Sequence, residues 1–139
     1  GTNIAHGLAK GRFILDGPGK RANAVRVLVI LTDGVPTNYC SNSGAYTSNS
    51  TSCTTQSDST PSTCPASNTA ITHAKNQATA AKDAGIIVFT IGLGDGVLDC
   101  VLEDIATLGG GTYYKAPTVA QLDEAFQAIA EQTHIALVK

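Results

Sequence analysis

Two oxygen-bearing side chains raise the chemical question in this sequence. Asp33 closes an apolar run, VRVLVIL (25–31), in the triplet Thr32-Asp33-Gly34, and Thr2 stands just ahead of a helical pattern. A carboxylate and a hydroxyl meeting at one end of a parallel sheet would be hard-oxygen ligands, suited to Mg²⁺ or Mn²⁺ rather than zinc. Open α/β sheets bind their ligands in that place, outside the carboxyl ends of the strands. A simpler reading stands beside this one. Asp33 could open an Asx-turn and Thr2 could cap a helix, with no ligand involved.

Other sets of reactive residues are poorer. Gly92, Gly94 and Gly96 resemble a dinucleotide loop in spacing, but Val97 takes the place of the last glycine and no P-loop is present. His6, His73 and His134 fall on separate predicted helices without shared spacing, so they form no triad or His-metal motif. Asp99, Glu103 and Asp104 read as one solvated acidic patch, without the isolation that acid–base catalysis needs. The expectation is that the chain is not an enzyme.

Four cysteines, Cys40, Cys53, Cys64 and Cys100, have spacings of 13, 11 and 36 that match no zinc motif. An even count, three of them in a strongly polar stretch, reads as disulfides and hence as an exported protein. Three pairings are open to four cysteines. Because Cys100 falls near the sheet end from which the polar stretch emerges, we expect Cys40–Cys100 to tie the loop down and Cys53–Cys64 to close its tip.

The elements that must position these residues follow from periodicity. Ile4, Leu8 and Leu15 give residues 3–15 a helical stripe, with Thr2 or Asn3 as N-cap. Strands are predicted at 25–32, 86–94 and, briefly, near 111–115. Helices are predicted from the Ala-rich segment ending at Gly85, over 97–108, and after Thr118, where Val119, Leu122, Phe126, Ile129 and Thr133 share a stripe. Helix and strand alternate, and the strands are apolar on both faces. That pattern means an α/β fold with a parallel sheet covered by helices.

Between Thr37 and Thr69, 17 of 33 residues are Ser or Thr, too polar to order themselves by burial. We expect an inserted loop at about 35–68, its cysteines offsetting the missing core. Asn49-Ser50-Thr51 is a glycosylation sequon, which makes Asn49 a candidate site. The net charge of −2 leaves no basic footprint for nucleic acid. No apolar run approaches the ~20 residues that span a bilayer.

The succession GTNIAHGLAKGRFIL, VRVLVILTDGVPT, AKDAGIIVFTIGLG, IATLGGGTYYKA and QLDEAFQAIA resembles the von Willebrand factor A domain, in order and over nearly the whole chain. The resemblance implies a Rossmann-like, doubly wound parallel sheet with helices on both faces and a metal-ion-dependent adhesion site at its top. It implies Thr2 and Asp33 as ligands of Mg²⁺ or Mn²⁺. It implies a protein ligand rather than a substrate, and an extracellular or cell-surface location. The sequence departs from the family pattern in one respect, since the D-x-S-x-S loop that supplies most of the metal ligands is absent.

Residues 1–139 are therefore expected to form one partial domain of this type. Strand 25–32 is too apolar for a bare edge, so its neighbour should come from an upstream segment or another chain. A second role fits the same features: a structural unit of a surface filament, pilus or matrix, built from identical subunits, with a degenerate metal site.

Overall fold

The computed structural model describes residues 1–40 and 55–137. Three parallel strands form the central sheet in the order β1-β4-β5: β1 (Arg26–Thr32), β4 (Ile86–Leu93) and β5 (Gly110–Ala116). Helices α1 (Ile4–Leu15), α2 (Thr69–Asp83) and α3 (Asp99–Leu108) cover one face, and α4 (Val119–Leu137) covers the other. The α/β alternation read from the sequence is the fold.

Strand alternation divides the core between the two faces. Leu28, Ile30, Ile86 and Val88 pack with Leu8, Ile71, Val101 and Ile105 under α1–α3, while Phe89 and Ile91 pack with Ala125 and Ile129 under α4. Buried Thr90 points into the first layer, and its hydroxyl donates 2.8 Å to the Leu102 carbonyl of α3. That bond satisfies a polar group that burial would otherwise penalise.

The one charge in the apolar run has a structural task. Arg26 donates to the Asp16 carboxylate at 2.8 Å, to the Leu15 carbonyl at 3.3 Å and to the Ala84 carbonyl. It thereby joins the C-terminal ends of α1 and α2 to the base of β1. Cations are also favoured at helix C-termini, where unsatisfied carbonyls gather.

The β4–β5 pairing requires glycine. A Cβ on Gly111 would stand 2.3 Å from the Val88 carbonyl oxygen, and the ladder register shifts between Val88 and Thr90. The Gly109-Gly110-Gly111 run lets β5 enter against a backbone that no larger residue could approach.

The described part of the expected loop at about 35–68 contains an antiparallel pair, β2 (Asn38–Cys40) and β3 (Thr55–Ser57). Three-residue strands of polar sequence leave no periodic signal, because their order comes from anchoring. Asn68 caps α2 by accepting from Ile71 N at 2.7 Å, and its amide donates to the Pro36 and Ser59 carbonyls. Asp58 accepts from Ala70 N at 2.9 Å.

The α4 stripe is narrower than the sequence suggested. Leu122, Ala125 and Ile129 face the sheet, but Val119 is 85% exposed and Phe126 47% exposed. Among the described residues β1 pairs with β4 and with no other strand, Val27 to Ile30 are half-buried, and Leu31 is 46% exposed. The apolarity of β1 exceeds what the described residues cover.

The cysteine pairing differs from the expected one. Cys64 is bonded to Cys100, so the Cys40–Cys100 and Cys53–Cys64 arrangement is excluded. The 58–68 segment folds back beside the α2 N-terminus and carries Cys64 to the start of α3. Cys40 is disulfide-bonded as well. Cys53 and Asn49 lie outside the described residues.

Candidate functional site

Three chain segments meet at the carboxyl end of the sheet. The first is the turn after β1, and its geometry is set by Thr32 rather than Asp33. The buried Thr32 hydroxyl accepts from Gly34 N at 3.2 Å and donates to the Gly34 carbonyl at 3.1 Å. This local side-chain turn does the work that an Asx-turn at Asp33 would have done. Asp33 is left exposed, and its carboxylate makes no hydrogen bond among the described residues.

The second segment is the chain entering α1. Asn3 is the N-cap, accepting from His6 N at 3.0 Å, so Thr2 is not needed for capping. Thr2 is held by its backbone: its carbonyl accepts from Thr37 N and Asn38 N, each at 3.0 Å, and its N–H donates to the Thr37 hydroxyl at 3.1 Å. An isolated parallel bridge joins Thr2 to Pro36. The Thr2 hydroxyl consequently faces the Asp33-Gly34 turn, 3.1 Å from where a Cβ on Gly34 would sit.

The third segment is the loop between β4 and α3, which crosses directly above Asp33. A Cβ on Gly96 would lie 2.5 Å from the Asp33 carbonyl oxygen. The loop is anchored at its far end by a cluster that the sequence did not reveal. Asp99, the first residue of α3, accepts from the Tyr113 hydroxyl at 2.6 Å and from Lys115 Nζ at 2.9 Å, both on β5. Gly92 makes room for that contact, since a Cβ there would sit 2.9 Å from the Tyr113 hydroxyl oxygen.

The electrostatics follow the contacts. The Tyr113 hydroxyl, then Lys115, hold the Asp99 carboxyl below the usual aspartate range. Burial, reinforced by Asp99, pushes the Tyr113 phenol above its ordinary value. Asp99 raises Lys115 in turn. Asp99 stays half exposed, as the acidic patch was expected to be, but it is committed to these two partners, and Asp104 pairs with Lys75 at 2.6 Å on the surface. The pattern Tyr113-x-Lys115, alternate residues on one strand face, was the available signal. Its partner fourteen positions upstream could not be read from spacing.

The structure thus brings Thr2 and the Asp33 turn together and leaves the histidines apart. His73 stacks on Tyr39 with ring centroids 5.3 Å apart, and His6 Nδ1 lies 3.5 Å from Cys40 Sγ. Among the described residues no group of three or more His, Cys, Asp or Glu could hold a metal ion. What the site offers is two hard oxygen donors, Thr2 and Asp33, which suit Mg²⁺ or Mn²⁺ in kind but fall short of an octahedral set.

Comparison with protein families bears on this arrangement. The family model described as von Willebrand factor type A domain matches residues 1–128. The chain belongs to that family. Comparison with curated proteins and with solved structures found no match. As a von Willebrand factor type A domain it belongs to a group that serves in general as protein-interaction and adhesion modules. Many of those domains bind a divalent metal at an adhesion site. No helix among the described residues is long and apolar enough to cross a membrane.

Proposed function

We propose that this chain is a protein-binding module working outside the cytoplasm, with the carboxyl end of its sheet as the contact surface. The observation that carries the reading is that two oxygen donors, on segments that meet at the carboxyl end of the sheet, have side chains uncommitted to the local turn and cap. Thr32 makes the turn and Asn3 caps α1, so neither Asp33 nor Thr2 is used for local structure. Thr2 and Asp33 would be partial ligands of Mg²⁺ or Mn²⁺. Such a cation would supply a positive charge to draw a carboxylate on the partner, and no bond-making step is involved. Disulfide-bonded Cys64–Cys100 supports an oxidising location such as the cell surface.

The test is calorimetric titration of the chain with Mn²⁺, alongside Asp33→Ala and Thr2→Val. A binding isotherm lost in Asp33→Ala and weakened in Thr2→Val is the expected result. Equal Mn²⁺ affinity in all three proteins, or none in the parent, would remove the metal from the reading.

The edge of β1 that no described residue pairs favours a second reading. A run of half-buried apolar side chains on that edge suits a building block of a filament or matrix, in which another chain extends the sheet.

A further inference from the structure

We propose that the Cys64–Cys100 disulfide is a redox latch on the cation site: its reduction frees the β4–α3 loop from the Asp33 turn and weakens cation binding. The inference rests on the reading of Thr2 and Asp33 as cation ligands and adds a control over them.

The position of the bond is the first observation. Cys100 is the second residue of α3, next to Asp99, and Cys64 belongs to the segment that folds back beside α2. On one side that segment reaches the surroundings of Thr2. Asp58 N donates to the Thr37 carbonyl at 2.7 Å, and the Asn68 amide donates to the Pro36 carbonyl at 3.1 Å. Pro36 bridges Thr2, and Thr37 N donates to the Thr2 carbonyl at 3.0 Å. On the other side, α3 continues the loop whose Gly96 lies against the Asp33 carbonyl. The disulfide therefore fastens the segment behind Thr2 to the loop above Asp33.

Second, the order of that loop depends on its ends. Gly94, at φ +65°, and Gly96 have no side chains to hold it, and glycine loses the most freedom on ordering. The N-cap of α3 is Leu98, which makes no side-chain cap hydrogen bond, so the support that Ser, Asp or Asn would give is missing. Besides the packing of Val97 and Leu98, the start of α3 is held by the Asp99 contacts to β5 and by the Cys100 crosslink.

Third, the bond is within reach of a reductant. Cys64 is exposed, whereas Cys40, which is also disulfide-bonded, is fully buried. Exposed disulfides are the labile ones. A thiolate of a dithiol reductant attacks Cys64 Sγ, the Cys64–Cys100 bond breaks, and its electron pair leaves on Cys100. The open N–H groups of the uncapped α3 terminus favour that thiolate, and Lys115 offsets the neighbouring Asp99 charge. The second thiol of the reductant then displaces Cys64. The reductant ends as its disulfide, and its two protons end on the two cysteines.

Limited reduction of the full chain with dithiothreitol, then alkylation and peptide mass spectrometry, tests the chemistry. Cys64 and Cys100 should be labelled before Cys40. Hydrogen–deuterium exchange then compares the disulfide-bonded parent, the selectively reduced and alkylated parent, and Cys64→Ser/Cys100→Ser. Residues 94–98 should exchange faster in the last two, while β1 and β4 keep their protection. Calorimetric titration should show Mn²⁺ affinity lowered on the order of tenfold in both, the usual effect of losing support behind a ligand set. Labelling of Cys40 as early as Cys64 overturns the redox selectivity. Unchanged exchange at 94–98, or faster exchange through the strands as well, overturns the latch. Equal Mn²⁺ affinity with the bond open or closed overturns its control of the site. All of these leave the metal reading in place. A disulfide-bonded parent that binds no Mn²⁺ overturns that reading, and the latch with it.

Discussion

Gly96 passes so close to Asp33 that a Cβ on the glycine would stand 2.5 Å from the aspartate carbonyl oxygen. The contact is with backbone, which cannot rotate away as a side chain would. The β4–α3 loop therefore lies on the β1 turn because residue 96 has no side chain. Gly96→Ala should destabilise the protein by about 1–3 kcal/mol, the usual cost of overpacking a tight site. Urea denaturation followed by circular dichroism would measure it, and a change below ~0.5 kcal/mol would show that the loop can lift without cost.

Asp99, Tyr113 and Lys115 predict a pH response with a definite sign. The Asp99 carboxyl is lowered in the fold from its ordinary 3.8, first by the Tyr113 hydroxyl and then by Lys115. Below that ordinary value the unfolded chain binds the proton more readily. The stabilisation is thus fully present above about pH 4 and is lost as pH falls through the folded value. Thermal melts should show a shallower acid decline in Asp99→Asn than in the parent.

Tyr113 behaves in the opposite sense, since its phenol is raised by burial and by Asp99. Its contribution is present below the ordinary tyrosine value of 10.0 and disappears as pH rises through the higher folded value. Tyr113 should ionise late in a spectrophotometric titration. Tyr113→Phe should abolish that late phase, and its persistence would reassign it to another tyrosine.

The Cys64–Cys100 bond closes a sequence separation of 36. By loop-closure entropy such a crosslink stabilises by up to about 4 kcal/mol. The anchors around it are independent: Asn68 and Asp58 hold the same segment to Pro36, Ser59 and α2. Cys64→Ser/Cys100→Ser should therefore lower the denaturation midpoint strongly without changing the far-ultraviolet spectrum. A collapsed spectrum would mean that the disulfide, and not those hydrogen bonds, determines the fold of the segment.

Arg26 offers a fifth check, on the frame itself. Its guanidinium joins Asp16, Leu15 and Ala84, so Arg26→Met leaves the two carbonyls and the carboxylate without that donor. Charged hydrogen bonds of this kind contribute roughly 1.5–3 kcal/mol, reduced where water can substitute. A loss of about 1–2 kcal/mol in chemical denaturation is expected.

Much of this protein was legible in the sequence because local patterning reflects burial. The apolar runs at 25–31 and 86–93 and the helical stripes between them specify a parallel α/β sheet. The T-D-G turn and the G-T-N opening marked the two segments that meet at its carboxyl end. The cap assignments were legible in kind. Which of Thr2 or Asn3 caps α1, and whether Thr32 or Asp33 makes the turn, depended on side-chain distances that spacing does not encode.

Only the tertiary structure decided the rest, since it concerns residues far apart in sequence that packing brings together. Asp99 reads as one acid among three until β5 lays Tyr113 and Lys115 against it. Cys64 reaches Cys100 because the polar segment returns along α2, a path with no local signature. VRVLVIL states by composition that β1 should be covered on both faces and both edges. Among the described residues the fold covers one edge and leaves Val27 to Leu31 partly exposed, because hydrophobicity records how much burial a strand needs while topology determines what provides it.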